Sequence, residues 1–121
     1  MTATFADLGL PDSIVNALER NDIDTPFPVQ AAAIPDALAD RDVCGKAPTG
    51  SGKTLAFGLP ILTRVPKARS RRPASLILTP TRELAAQIRK ELAPYAKVMD
   101  RQVFAVFGGV RYQPQKDWLN R

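Results

Sequence analysis

Ala47-Pro48-Thr49-Gly50-Ser51-Gly52-Lys53-Thr54 closes on Gly-Ser-Gly-Lys-Thr, the pattern of a loop that leads from a strand into a helix and holds phosphate. Each residue type has a separate task. The glycines let the backbone turn tightly and aim successive N–H groups at phosphate oxygens, Lys53 reaches the β- and γ-phosphates, and the Thr54 hydroxyl is placed for Mg²⁺. The strict loop has glycine in its first position, where this chain has Ala47. The surroundings fit a loop between a strand and a helix: a short run at residues 41–44 precedes it, and a helical pattern at 54–62 follows. Nucleotide binding is the leading expectation.

The chain of 121 residues is short enough for one domain at most, and its 45% hydrophobic and 24% charged residues are those of an ordinary globular protein. No run approaches the ~18 apolar residues of a membrane span, and the N-terminus lacks the features of a signal peptide, so the cytoplasm is the simplest address. With no histidine and one cysteine, zinc clusters, histidine triads and internal disulfides are excluded; Mg²⁺ arriving with nucleotide is the metal expected. Cys44, within the run before the loop, is expected to be a small buried side chain. Residues 1–40 carry one basic and seven acidic side chains, and residues 41–121 carry sixteen and five. The first part is therefore −6 and the rest +11, and a basic remainder suits a polyanionic partner. The densest basic run, residues 67–73, reads first as a solvated loop.

Helical spacing predicts a short helix at 10–20, with a proline near its start, and a second helical stretch from Gln30 to about residue 40. Pro35 either opens a helix beginning near Ile34 or kinks a longer one. The continuous apolar run at 74–79 reads as a strand buried on both faces. Thr81 is placed to cap a helix over 82–92. A third strand is expected at 102–107, closed by Gly108 and Gly109, and the tail from residue 113 begins another helix. This alternation specifies an α/β fold, a parallel sheet with right-handed crossovers and a ligand at the carboxyl ends of its strands.

Together these features resemble the N-terminal part of the first RecA-like domain of a DEAD-box ATP-dependent RNA helicase. Residues 47–54 look like that family's motif I, in which alanine at the first position is usual. Ile23, Pro26, Val29 and Gln30 look like its Q motif, and Phe5, seventeen residues before Asp22, stands where the family places an isolated aromatic. The resemblance assigns both to adenine: a glutamine amide can pair with N6 and N7 of the base, and a ring can stack on it. Asp22 replaces the family's usual glycine, and Phe27 its usual serine or threonine, which removes a hydroxyl near the loop. The ATP set implied is Phe5, Ile23, Pro26, Gln30, Ala47, Thr49, Gly50, Ser51, Gly52, Lys53 and Thr54, with Lys53 and Thr54 as the catalytic members and Thr54 on Mg²⁺. Pro80, Thr81, Arg82 and Glu83 match motif Ia, and Gly108-Gly109 the glycine doublet. Both are implied to touch the RNA backbone without regard to sequence, on single strands and short duplexes.

On this resemblance residues 1–40 form a Q-motif region, and 41–121 a partial RecA-like domain, incomplete at its C-terminal side. The sequence contains no Asp-Glu-Ala-Asp tetrapeptide. The chain is therefore not expected to hydrolyse ATP alone, and is expected to be a piece of a longer helicase; three strands by themselves would leave raw edges and an uncovered apolar face, so the isolated chain should aggregate or remain partly molten. A nonenzymatic nucleotide- or RNA-binding half-domain is the alternative. Another phosphate-loop enzyme, such as a DNA helicase or kinase, is a third reading, against which Gln30 and residues 80–84 argue.

Overall fold

The computed structural model of the chain describes residues 3–66 and 72–106, and within them the chain forms four helices. The starts follow local signals. α1 (Asp12–Arg20) carries Asp12 in its first turn, where a carboxylate favours the helix dipole. α2 (Pro28–Leu38) opens on Pro28, where a missing N–H costs nothing. α3 (Lys53–Arg64) starts directly from Gly52 of the loop. α4 (Arg82–Val98) is capped by Thr81, whose Oγ1 accepts from the Leu84 N–H at 3.1 Å. Pro35 lies inside α2, so the longer of its two sequence readings holds. α4 runs past Leu92 and through Pro94 because Ile88, Leu92, Tyr95 and Ala96 continue one buried stripe.

The helix ends share an unusual device. α1, α2 and α4 are each followed by an aspartate in the left-handed region: Asp22 at φ 59°, Asp40 at 65° and Asp100 at 53°. After α1, Ile23 N–H donates to Leu18 O at 2.9 Å and Asp22 N–H to Glu19 O at 3.0 Å, the paired bonds of a Schellman stop. The same pairs follow α2, from Arg41 to Asp36 and Asp40 to Ala37, and α4, from Arg101 to Ala96 and Asp100 to Lys97. Glycine is the usual occupant of such positions because it has no Cβ to clash. Asp22 thus departs from the family pattern at the very position where the backbone is left-handed. Ile23, just beyond the stop, packs against the core.

The core lies between the helices. α3 packs against both α2 and α4, and α1 against α4. Ile14, Leu18, Ile34 and Leu59 have no exposed surface, and Leu92 is 1% exposed; burial of such a side chain contributes about 1.5–3 kcal/mol. Gly58 brings α3 close to α4: a Cβ there would stand 2.9 Å from Leu92 Cδ1. At the far ends, Arg64 Nη1 donates to Leu38 O at 2.8 Å, tying the end of α3 to that of α2. Arg101 joins the ends of α3 and α4, with Nη2 donating to Val65 O at 3.3 Å and Nη1 to Met99 O at 2.9 Å. Phe5 is seated by an N-terminal turn in which Thr4 N–H donates to Asp7 Oδ2 at 2.9 Å and Asp7 N–H to Thr4 Oγ1 at 3.2 Å. The Thr4 N–H holds the Asp7 carboxyl below the usual carboxylate range.

The expected parallel sheet is not formed among the described residues. Residues 41–46, 74–79 and 102–106 are neither helical nor paired as strands, and a one-residue bridge occurs outside them at Arg72. Residues 74–79 are not covered on both faces as their composition suggests: Ile77 packs on the core, while Leu76 and Leu78 are 79% and 85% exposed. This is strand-like alternation with one bare face. The segments at 73–82 and 100–106 border a hollow of about 820 Å³ backed by α3 and α4. Cys44, expected to be buried, is exposed, and Val43 is 46% exposed, because their segment lacks strand neighbours to cover it. Residues 67–71, Phe107, the glycines Gly108 and Gly109, and the tail beyond them lie outside the described residues.

Two stability effects follow. Leu92→Ala should cost about 2–5 kcal/mol, and adding Gly58→Ala to that variant should restore roughly 1 kcal/mol by filling the space, although Gly58→Ala alone overpacks the contact. Urea midpoints of the two single variants and the double variant check this coupling. Asp22→Gly should raise stability by about 1 kcal/mol, since it relieves both a left-handed aspartate and a negative charge at the α1 C-terminus; a thermal melt reads the gain.

Candidate nucleotide site

The loop from Ala47 to Gly52 is shaped by two glycines of different character. Gly50 and Gly52 both have φ 82°, a conformation that side chains disfavour. Around Gly50 there is open space, so its requirement is the backbone angle alone. Gly52 needs both angle and space, because a Cβ there would collide with Gln30 Nε2 and come within 2.8 Å of Phe27 Cδ2. Ser51 Oγ donates to Pro48 O and closes the loop on itself.

α3 leaves Gly52 without a side-chain cap and without an acidic residue in its first turn. Its leading N–H groups therefore have no intrahelical acceptor, and no carboxylate competes with an anion placed before them. Lys53 is exposed at the first position of the helix, and Thr54 is half-buried behind it. Among the described residues there is no cluster of three or more histidine, cysteine, aspartate or glutamate side chains that could hold a metal.

Gln30 fits under the loop, 1% exposed. Its Oε1 accepts from Phe27 N–H at 2.9 Å, and its Nε2 donates to Gly52 O at 3.1 Å. One amide therefore joins the start of α2 to the start of α3. An amide has two donors and two acceptor lone pairs, so one of each remains after these bonds. Pro26 and Ala47 are half-buried beside this region of the chain and Thr49 is exposed. Phe5 takes a different place: its ring is 2% exposed within the apolar core. Stacking of a base on Phe5 would require that ring to leave its packing.

The loop lies on open surface. The 820 Å³ hollow is remote from it, and a second of about 520 Å³, between α2, α3 and residues 40–45, meets it only at Lys53. At the start of α4, Pro80, Thr81, Arg82 and Glu83 are all exposed. Thr79 Oγ1 donates to Thr81 O at 3.0 Å, and Arg82 Nε faces Glu83 Oε1 at 3.4 Å. The Thr81 hydroxyl already accepts from Leu84 and retains its proton for donation. Phe27 is the member of this neighbourhood that residue patterns did not assign to it; the signal available was its replacement of a small hydroxyl residue.

No helix among the described residues is long and apolar enough to cross a membrane. The chain is 43% identical over 122 residues to the pre-mRNA-processing ATP-dependent RNA helicase PRP5 of Meyerozyma guilliermondii, covering 97% of this chain and 14% of that protein. It is 47% identical over 114 residues to the ATP-dependent RNA helicase DeaD of Klebsiella pneumoniae, covering 93% and 17%. The chain therefore spans less than a fifth of the length of either relative. Its fold is similar to that of the RNA helicase Prp28 from Chaetomium thermophilum in a crystal structure bound to ADP, with a TM-score of 0.88 and 38% identity over 98% of this chain and 30% of that one. The family model for DEAD/DEAH box helicases matches residues 27–121, and the chain belongs to that family as an N-terminal part of its first RecA-like domain.

Proposed function

We propose that this chain is the ATP-binding part of an RNA helicase that, when complete, couples ATP binding and hydrolysis to the separation of short RNA duplexes. The observation that carries the reading is the phosphate loop itself: two left-handed glycines present the uncapped start of α3, and Lys53 stands at its first position. The ADP in the solved Prp28 relative supports the same assignment. Lys53 would hold the β- and γ-phosphates, Thr54 would meet Mg²⁺, and the Ala47–Gly52 backbone would donate to phosphate oxygens. Mg²⁺ supplies charge neutralisation on the phosphates. Gln30, through its remaining N–H and lone pair, would read the adenine edge, with Ile23 and Pro26 shaping the approach and Phe5 as the proposed stacking partner once its ring is released.

Pro80, Thr81, Arg82 and Glu83, with Gly108 and Gly109, would meet the RNA backbone. The segments at 41–46, 74–79 and 102–106 would join a parallel sheet in the complete domain. The cytoplasm is the proposed location. Alone, the chain would bind nucleotide without turnover, because it lacks the acidic tetrapeptide that positions metal and water in this family.

Calorimetric titration with ADP and with GDP, each with Mg²⁺, tests this reading. ADP should bind at least tenfold more tightly than GDP, and Lys53→Ala should weaken ADP about tenfold or more, a loss of roughly 1.4 kcal/mol. Equal binding of the two nucleotides would remove Gln30 from its adenine role. The two glycines should also differ: Gly50→Ala adds only backbone strain, about 1 kcal/mol, whereas Gly52→Ala adds a collision with Gln30 and Phe27 and should lose ADP binding beyond detection in the same titration.

A further inference from the structure

We infer that Phe27 is a positioning residue for the phosphate loop, its ring packed on Gly52 beside the Gln30 amide so that α3 starts from a fixed left-handed glycine. The inference rests on the nucleotide assignment above for its meaning, although the packing itself is independent of any ligand.

The Gly52 carbonyl accepts twice, from Ala56 N–H at 3.2 Å as the first bond of α3 and from Gln30 Nε2 at 3.1 Å. Both of its lone pairs are engaged, and the second bond comes from a side chain whose own Oε1 is held by Phe27 N–H. Phe27 thus acts at both ends of the link, through its backbone N–H on Gln30 and through its ring on Gly52. Such a hydrogen bond contributes little where water competes for it, and more where water is excluded. The Phe27 ring reaches within 2.8 Å of where a Gly52 Cβ would stand, while the residue remains 51% exposed. The ring therefore lies against Gly52 on one side while the residue stays open to solvent on the other.

Phe27 is a poor local choice. It is the N-cap of α2 and offers no side-chain acceptor, whereas serine, threonine or aspartate there would satisfy an orphan N–H. An exposed aromatic ring in place of a cap breaks the local rule for helix starts, and residues that do so are commonly found where a site needs them. Here the need is mechanical: Gly52 has no side chain of its own by which to be held, and the loop before it is largely exposed.

The discriminating variant is Phe27→Thr, which restores a helix cap and removes the ring; Phe27→Tyr keeps the ring and serves as control. Hydrogen exchange without nucleotide reads the Ala56 amide against amides near the end of α3, and titration with ADP and Mg²⁺ reads affinity on the same full chain. In Phe27→Thr the melting temperature should hold or rise, while Ala56 exchange quickens and ADP affinity falls, each roughly three- to tenfold; Phe27→Tyr should match the wild type. Unchanged Ala56 exchange in Phe27→Thr would overturn the inference, as would ADP affinity that rises with the better cap. If the wild-type chain binds no ADP, the functional proposal fails, and the exchange comparison still decides whether Phe27 holds the loop.

Discussion

A phosphate loop works only if its backbone amides are already aimed when the anion arrives, and glycine, which the turn demands, is the residue least able to hold an aim. In this chain that conflict is resolved at the Gly52 carbonyl. The first hydrogen bond of α3 and the Gln30 amide both end there, so the point at which the loop becomes helix is held from two directions. Because Gln30 is itself bonded to the N-cap of α2, the loop geometry is tied to the packing of α2 on α3. The core formed by Ile34, Leu59 and Leu92 therefore stabilises more than the helices: through one amide it also steadies the angle from which phosphate would be held.

The same economy does not extend to the helix C-termini. Three aspartates occupy left-handed positions that favour glycine, and each places a negative charge at the end of the dipole that repels it. Neighbouring cations offset part of this cost. Arg64 reaches both Leu38 O and the Asp40 carboxylate, the latter at 3.6 Å, and Arg41 pairs with Asp36 at 3.0 Å across the end of α2. These pairs are exposed and individually weak. Both lie at the end of α2, and within residues 1–40 Asp22 and Asp40 have a backbone task, ending helices, apart from any binding.

The parts legible in the sequence are those decided within a few residues. Thr81 as a cap and the tight turns at the loop glycines each follow from local backbone chemistry, and each occurs as read; α2 instead opens on Pro28, ahead of the Gln30 start that helical spacing suggested. The extension of α4 beyond Leu92 was hidden by Pro94, although Tyr95 and Ala96 kept the apolar stripe in register. Cys44 and residues 74–79 failed for a different reason: their apolar composition implies burial, but a strand acquires its cover from neighbours far away in sequence, and composition does not name them. The Gln30 contact to Gly52 spans 22 residues and was equally invisible locally. Phe5 illustrates the remaining gap, since a ring suited to stacking on a base is also suited to filling a core, and residue type cannot separate the two.

The alternation within residues 74–79 constrains what surrounds this part of the fold. Ile77 faces the helices, while Leu76 and Leu78 face away and are almost fully exposed. A strand meant for a sheet with one wet face would carry polar residues at those two positions. Leucines there are suited instead to a sheet covered on both sides, and leaving each exposed forgoes about 1.5–3 kcal/mol of burial. The described helices supply one covering layer and one only, with the hollow of about 820 Å³ marking the space between that layer and the two segments. A nucleotide at the loop would not fill this space, because the loop lies elsewhere. The geometry of the loop therefore depends on the packing of α2 on α3 through Gln30, whereas cover over Leu76 and Leu78 would add burial at a part of the fold that the loop does not border.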